Sequence, residues 1–276
     1  MSDGTRALPG TDGPVHVTVH KTWEAPEKAS QFGAGFKLKM ALWGWGNGEV
    51  EYYLSDNVAV TGGQLQITAA KQSVGGFSYT SGRINSQGKV FFYPGIADSS
   101  GNTYSTVRLE ASVQAPSPGQ GLWPALWCYP NEDTYGVWPG SGEIDIFEMI
   151  NLMTRANQGL HYGGTGNKIR NVFVTTSPSG SNYATSFHTY AIDWTATSIA
   201  FSVDGTVIKT LYSNSVDATG GWFTTAAGAP TNAPFNMPFF IIINLAVGGN
   251  WAGPPDDTTP LPATLAVDYV RIFGTN

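Results

Sequence analysis

Three acidic residues fall within one short segment: Glu143, Asp145 and Glu148. In an extended strand alternate side chains share a face, so Glu143 and Asp145 point one way and the isoleucines between them point the other way. In a regular strand Glu148 would lie on the opposite face from Glu143 and Asp145. One extra residue around Ile146–Phe147, a β-bulge, would return Glu148 to the face of the other two acids, and bulges are common beside active sites. The sequence therefore predicts a bulged strand with three acids on one face.

Paired carboxyl groups suit glycoside hydrolysis, in which one carboxylate attacks or acts as base and one protonated carboxyl acts as acid. An isolated acidic strand is more often an ordinary half-buried strand with a polar outer face. The flanking residues favour chemistry, because residues 121–127 and Trp138 supply the aromatic density that stacks on flat sugar rings.

The segment from Trp138 to Glu148 resembles the signature of glycoside hydrolase family 16, in the bulged form of its laminarinase-like branch of endo-β-1,3-glucanases. The resemblance extends along the chain through residues 45–53, 79–84, 121–127, 160–162 and 267–272. It implies a retaining mechanism, with Glu143 as nucleophile, Glu148 as acid and base, and Asp145 hydrogen-bonded between them. Five strand steps would separate the two glutamate Cα atoms by about 16 Å, so the bulge and the sheet curvature must shorten that distance.

The resemblance also implies a set of substrate-binding residues. His161 would position the acid or a sugar hydroxyl, although a lone histidine is more often structural. The sequence favours a cleft position and a core position equally for Trp123, because a large aromatic residue beside proline is also common in protein cores. Asn47 precedes Gly48 and can equally form a tight turn. The full predicted set is Asn47, Arg83, Trp123, Trp127, Trp138, His161 and Trp251.

A structural calcium ion is implied by the resemblance, on the side of the molecule away from the cleft. Glu24 and Asp268 are its candidate ligands, since calcium prefers hard oxygen ligands. The alternative is that both acids are ordinary surface charges. No cofactor is expected for catalysis.

Composition narrows the possible partners. Charged residues make up 12% of the chain and aromatic residues 13%, with 34 Gly and 17 Pro, a mixture that suits many strands, turns and sugar platforms. The formal net charge of −6 argues against nucleic acid or an anionic membrane as partner, because both require a basic surface. One cysteine, Cys128, allows no intrachain disulfide.

We expect a flexible N-terminal segment at residues 1–14, followed by a single catalytic domain at residues 15–276, in a monomer. No apolar run in the chain is long enough to span a bilayer. The N-terminus lacks the apolar core of a signal peptide, and we expect a secreted, extracellular protein whose signal peptide is absent from this chain.

Many short alternating segments with Gly and Pro turns predict an all-β fold, a jelly-roll β-sandwich of two antiparallel sheets. An open substrate cleft is expected on the concave sheet. The expected strands are residues 15–19, 64–69, 106–113, 122–129, 239–247 and 267–273, together with a hairpin within residues 191–209 that turns at Asp204-Gly205.

The predicted function is endo-hydrolysis of β-1,3-glucans such as laminarin and curdlan. Three alternatives stay open: cleavage of mixed-linkage β-1,3-1,4-glucan or of galactans, transglycosylation to a sugar hydroxyl, and glucan binding without catalysis. The last is disfavoured because all three acids are intact.

Overall fold

A computed structural model describes residues 37–38, 47–97, 101–176 and 182–275. The predicted first strand at residues 15–19 lies outside these ranges. In chain order the described strands are β1 (Lys37–Leu38), β2 (Glu51–Tyr53), β3 (Val58–Thr61), β4 (Gln64–Val74), β5 (Phe77–Ser81), β6 (Arg83–Asn85), β7 (Phe91–Phe92), β8 (Thr106–Gln114), β9 (Leu122–Pro130), β10 (Glu143–Glu148), β11 (Ala156–Gly163), β12 (Ile169–Thr176), β13 (His188–Thr195), β14 (Ser198–Val203), β15 (Thr206–Tyr212), β16 (Phe239–Val247) and β17 (Ala263–Thr275).

The strands form two sheets. The first, here called the cleft sheet, has the order β1-β6-β16-β9-β10-β11-β12, and β7 also pairs with β16. The second, here called the back sheet, has the order β15-β14-β13-β8-β17-β4-β5-β2, and β3 also pairs with β4. Among the strands that the structure describes, every pair is antiparallel except β2 with β5. The predicted all-β sandwich of two antiparallel sheets with a jelly-roll fold is confirmed.

Helical structure is limited to two short 3-10 turns, Ser55–Asn57 and Gly166–Lys168, and the described ranges contain no α-helix. None of the helices in those ranges is long and apolar enough to cross a membrane.

Alternation of apolar residues explains the strands that line the core. In β8 the residues Val107, Leu109, Ala111 and Val113 are all buried, as the period of two predicts. β4 buries Leu65, Ile67 and Ala69 in the same way. These side chains belong to one hydrophobic core between the two sheets. The cleft sheet contributes Ile144, Ile146, Phe239, Ile241 and Ile243 to the same core.

β16 is buried on both faces along its whole length, as its unbroken apolar sequence predicts. It lies between β6 and β9 at the middle of the cleft sheet. Asn244 is its one polar residue and is 5% exposed.

The predicted hairpin is confirmed at β14 and β15. Asp204 and Gly205 join these strands with φ angles of 49° and 78°, the left-handed values that a tight turn requires. The last strand is longer than predicted, at Ala263–Thr275 rather than 267–273, and it lies between β8 and β4 inside the back sheet.

Candidate active site

A β-bulge in β10 determines where the three acids lie. Against β11, Asp145 pairs with Gly159 and Glu148 pairs with Asn157, so three steps on β10 match two on its neighbour. The pairing with β9 shows the same single-residue shift after Asp145. The predicted bulge is therefore confirmed.

The bulge turns two consecutive side chains, Ile146 and Phe147, into the core, where both are fully buried. Phe147 packs against Tyr190 of the back sheet with the ring centroids 4.7 Å apart. Because the strand gains one residue there, Glu148 returns to the cleft face that Glu143 and Asp145 occupy.

Each of the two glutamates accepts a hydrogen bond from an indole N–H. Trp138 Nε1 donates to Glu143 Oε2 at 2.7 Å. Trp123 Nε1 donates to Glu148 Oε1 at 3.0 Å. These bonds fix the directions of both carboxyl groups.

His161 on β11 faces the acids from the neighbouring strand, since it pairs directly with Glu143 in the sheet register. Its Nε2 lies 3.0 Å from Asp145 Oδ2 and 4.0 Å from Glu143 Oε1. Its Nδ1 lies 2.7 Å from Asn171 Oδ1 on β12. The imidazole therefore links the acids to the next strand.

Burial and the charges of neighbouring acids make the two glutamates hard to ionise. Burial first, and the negative charge of Asp145 second, raise the pKa of the Glu143 carboxyl to about 8, while the His161 charge and the Trp138 N–H oppose that rise. Burial also raises the pKa of Glu148 well above its ordinary range, and the charges of Asp145 and Glu143 add to the effect. Near neutral pH the cluster therefore retains at least one proton.

The ring of His161 responds in the opposite sense. Burial is the largest single effect and lowers its pKa, but the charges of Asp145 and Glu143 and the hydrogen bonds to Asp145 and Asn171 together raise the pKa of the ring to about 10. A positive ring 4.0 Å from Glu143 favours the ionised form of that glutamate.

Five aromatic rings form a continuous wall along the cleft, here called the aromatic wall. Neighbouring ring centroids lie 5.7, 5.3, 6.0 and 5.3 Å apart along the wall. Its two ends are the indoles that hold the glutamates. The members in order are Trp138, His161, Phe173, Trp251 and Trp123.

A second group lies across β9 and β16. Trp127 pairs with Asp145 in the sheet register and donates from Nε1 to Asn244 Oδ1 at 2.8 Å. The guanidinium of Arg83 lies over the Trp127 ring, 4.9 Å from its centroid. The structure thus places Arg83 and Trp127 beside the acids, on the opposite side from His161.

A buried carboxyl pair lies behind this group. Tyr53 donates to Glu49 Oε2 at 3.1 Å, and the Val247 amide donates to Glu51 Oε2 at 2.7 Å. Asn244 Nδ2 donates to the Tyr53 hydroxyl at 3.3 Å. Burial first, and the charge of Glu49 second, raise the pKa of Glu51 to about 8.

The remaining predicted residues lie in different places. Asn47 is exposed, and its carbonyl accepts a 2.6 Å hydrogen bond from the amide of Asn250, next to Trp251. Glu24 lies outside the described residues. Asp268 is exposed at a bulge in β17 on the back sheet, away from the acids.

Comparison with known proteins identifies the family. The model of the glycosyl hydrolases family 16 matches residues 42–270. The chain belongs to glycosyl hydrolase family 16.

Curated relatives of this family 16 chain include glucanases. Glucan endo-1,3-beta-glucosidase A1 of Niallia circulans is 34% identical over 245 residues, which are 84% of this chain and 33% of that protein. Beta-glucanase of Rhodothermus marinus is 36% identical over 241 residues, 83% of this chain and 76% of that protein. The chain therefore spans about a third of the first relative and three-quarters of the second.

A solved structure also resembles this chain closely. The endo-beta-1,3-glucanase of Pyrococcus furiosus is 31% identical and superimposes with a TM-score of 0.77, covering 98% of this chain and 97% of that one.

Sequence reasoning missed two groups of cleft residues. Asn171 and Phe173 alternate with Val172 and Val174 on β12, so the period of two was a usable signal for a strand with a cleft face. Asn244 interrupts an otherwise apolar strand, which also marks a buried polar role.

Proposed function

We propose that this family 16 chain is an endo-acting β-1,3-glucanase that cleaves laminarin-type glucans by a retaining double displacement. The observation that carries the proposal is the bulge in β10, because it brings Glu148 to the same face as Glu143 and Asp145. The glucanase relatives and the glucanase structure described above support the choice of substrate.

In the first step the Glu143 carboxylate attacks the anomeric carbon, and the glycosidic bond breaks while Glu148 gives its proton to the departing oxygen. In the second step the Glu148 carboxylate takes a proton from water, and the water oxygen displaces Glu143 from the sugar. Both glutamates return to their starting protonation states.

Asp145 and His161 hold the two glutamates in opposite protonation states. The Asp145 charge disfavours ionisation of both glutamates, while the positive His161 ring lies nearer Glu143 and favours its carboxylate. This balance supports Glu143 as nucleophile and Glu148 as acid.

The aromatic residues and Arg83 bind the glucan. Trp138 and Trp251 are 40% and 39% exposed, so part of each ring is accessible to stack on sugars. Arg83 beside Trp127 and Asn47 near the Trp251 loop supply hydrogen-bond donors for sugar hydroxyls.

Further proposals concern the whole protein. We propose a structural calcium held by Glu24 and Asp268, a secreted monomer, and one catalytic domain at residues 15–276 after a flexible segment at residues 1–14. The exposed side chain of Asp268 is open to such an ion.

Product analysis tests the substrate proposal. The purified chain is incubated with laminarin, barley mixed-linkage glucan and agarose, and the products are separated by size. Short oligosaccharides from laminarin are expected. Release from another polymer alone would contradict the substrate, and binding to insoluble curdlan with no cleavage of any polymer would contradict catalysis.

A further inference from the structure

Glu143, Asp145 and His161 present three metal-ligating atoms to one point of the cleft. One carboxylate oxygen from each acid and a ring nitrogen of His161 all lie within 4.8 Å of one another. Zinc bound at about 2.0 to 2.2 Å holds neighbouring ligand atoms about 3 to 3.5 Å apart. His161 Nε2 and Asp145 Oδ2 are 3.0 Å apart already. Only Glu143 Oε1, at 4.0 Å from Nε2, must move closer.

Asp145 is the most deeply buried of the three ligands, with 1% of its side chain exposed. Its positive partner in the cleft is the His161 ring, whose Nε2 lies 3.0 Å from Asp145 Oδ2. A buried carboxylate needs such a positive counterpart. A divalent cation bound among the three ligands would supply that charge in place of the proton on the ring.

Hydrogen bonds around the ligands orient them for a metal. Asn171 Oδ1 beside His161 Nδ1 keeps a proton on Nδ1 once a metal ion displaces the proton from Nε2, the arrangement that ligating histidines usually have. Trp138 holds Oε2 of Glu143 and leaves Oε1 toward the other two ligands.

We propose that Glu143, Asp145 and His161 form a binding site for a divalent transition-metal ion such as zinc, and that the bound ion inhibits the enzyme. One imidazole nitrogen and two carboxylates suit zinc and similar ions, whereas calcium and magnesium prefer oxygen ligands alone. Zinc displaces any proton on Nε2 to solvent and takes water from the cleft as its fourth ligand. The inhibition rests on the proposed function, because the ion occupies the nucleophile.

Calorimetric titration with zinc chloride tests the site directly, on the full untagged chain in a buffer that does not bind metals. The parent is compared with His161→Asn and Asp145→Asn, and with His188→Asn as the matched control. His188 also contacts a carboxylate, at 2.8 Å from Asp204 Oδ2, but on the back sheet. Either ligand substitution is expected to weaken one zinc-binding event by about tenfold or more, and the control is expected to retain it.

Initial rates on laminarin give the second readout. Zinc is expected to inhibit the parent and the His188→Asn variant, with recovery after EDTA, while equal concentrations of calcium or magnesium do not inhibit. Unchanged zinc binding in His161→Asn and Asp145→Asn overturns the site, as does a parent that binds no zinc while it cleaves laminarin. Zinc bound at these residues in a chain that cleaves no glucan would leave the site standing and reject the proposed function.

Discussion

Two indole N–H groups define the electrostatics of the candidate site at the scale of single residues. Trp138 donates to Glu143 and Trp123 donates to Glu148. A donor to a carboxylate stabilises its charged form and lowers its pKa. The indoles therefore tune the same carboxyls that we assign to catalysis, in addition to lining the cleft.

Trp138→Phe should move the acidic limb of the pH profile of kcat/KM on laminarin to higher pH, by about one unit. Loss of the N–H donor raises the pKa of Glu143, so the nucleophile ionises later as pH rises. Trp127→Phe is the control, because the Trp127 indole donates to Asn244 instead of an acid. An acidic limb that stays in place in Trp138→Phe would contradict this role.

Glu148→Gln should reduce laminarin cleavage by about 10² to 10⁴-fold, the usual contribution of a general acid. An aryl β-glycoside of a β-1,3-linked glucan oligosaccharide has a leaving group that departs without being protonated. The variant should therefore still release the aryl group in a rapid burst. Stopped-flow absorbance measures that burst. If the variant lost both the burst and its laminarin activity, the result would contradict Glu148 as the general acid.

The site residues differ in how far the sequence predicts them. Glu143, Asp145 and Glu148 follow from strand phase and chemistry, and their common face is confirmed. The stacking of Phe173 on Trp251 could not be predicted from the sequence, because this contact joins β12 to the loop after β16. That contact depends on sheet order, which local periodicity does not encode.

At the scale of elements, the cleft depends on a close approach between β11 and β12. Gly159 lies opposite Asp145 on one side and Phe173 on the other. A Cβ atom at Gly159 would lie 2.7 Å from the Val172 carbonyl oxygen and 3.0 Å from Phe173 Cδ1. The missing side chain gives the Phe173 ring its place in the aromatic wall.

Gly159→Ala should therefore destabilise the protein by about 1 to 3 kcal/mol and lower its Tm by several degrees. Laminarin activity should fall as well, because Phe173 is displaced. Calorimetry and initial rates measure both effects, with Thr175→Ala on the cleft face of β12 as a control that adds no atoms. A variant with the parent's Tm and activity would show that the strands tolerate the methyl group.

The elements themselves were largely predictable, since alternation identified β4 and β8 and unbroken apolarity identified β16. The length of β17 was underestimated because Ala263 to Ala266 lies close to prolines that suggest a loop. Pairing with β4 extends the strand there, an effect of tertiary structure over local signals.

At the scale of the whole molecule, several carboxyl groups lie buried inside the protein. The chain has a net charge of −6, one cysteine and few charged residues. Glu51 is 3% exposed, and its pKa is raised to about 8 from an ordinary 4.5. The folded state therefore favours the protonated form of the Glu51 carboxyl group. The free energy of unfolding contributed by this group falls as pH rises from about 4.5 to about 8.

Glu51→Gln should remove this pH dependence, because glutamine stays neutral. Relative to the parent, the variant should gain about 4 °C or more in Tm between pH 5 and pH 8.5. Differential scanning calorimetry at both pH values measures the change, with the exposed Glu132→Gln as control. An equal Tm difference at both pH values would contradict the raised pKa.

The most direct test of the central claim is reducing-sugar release from laminarin by the parent and by Glu143→Gln, purified in parallel and matched in Tm. We predict rapid release by the parent and a loss of at least about 10³-fold in the variant, because the nucleophile cannot form the glycosyl-enzyme. Laminarin cleavage at comparable rates by both proteins would contradict the assignment of Glu143 and the mechanism built on the bulged strand.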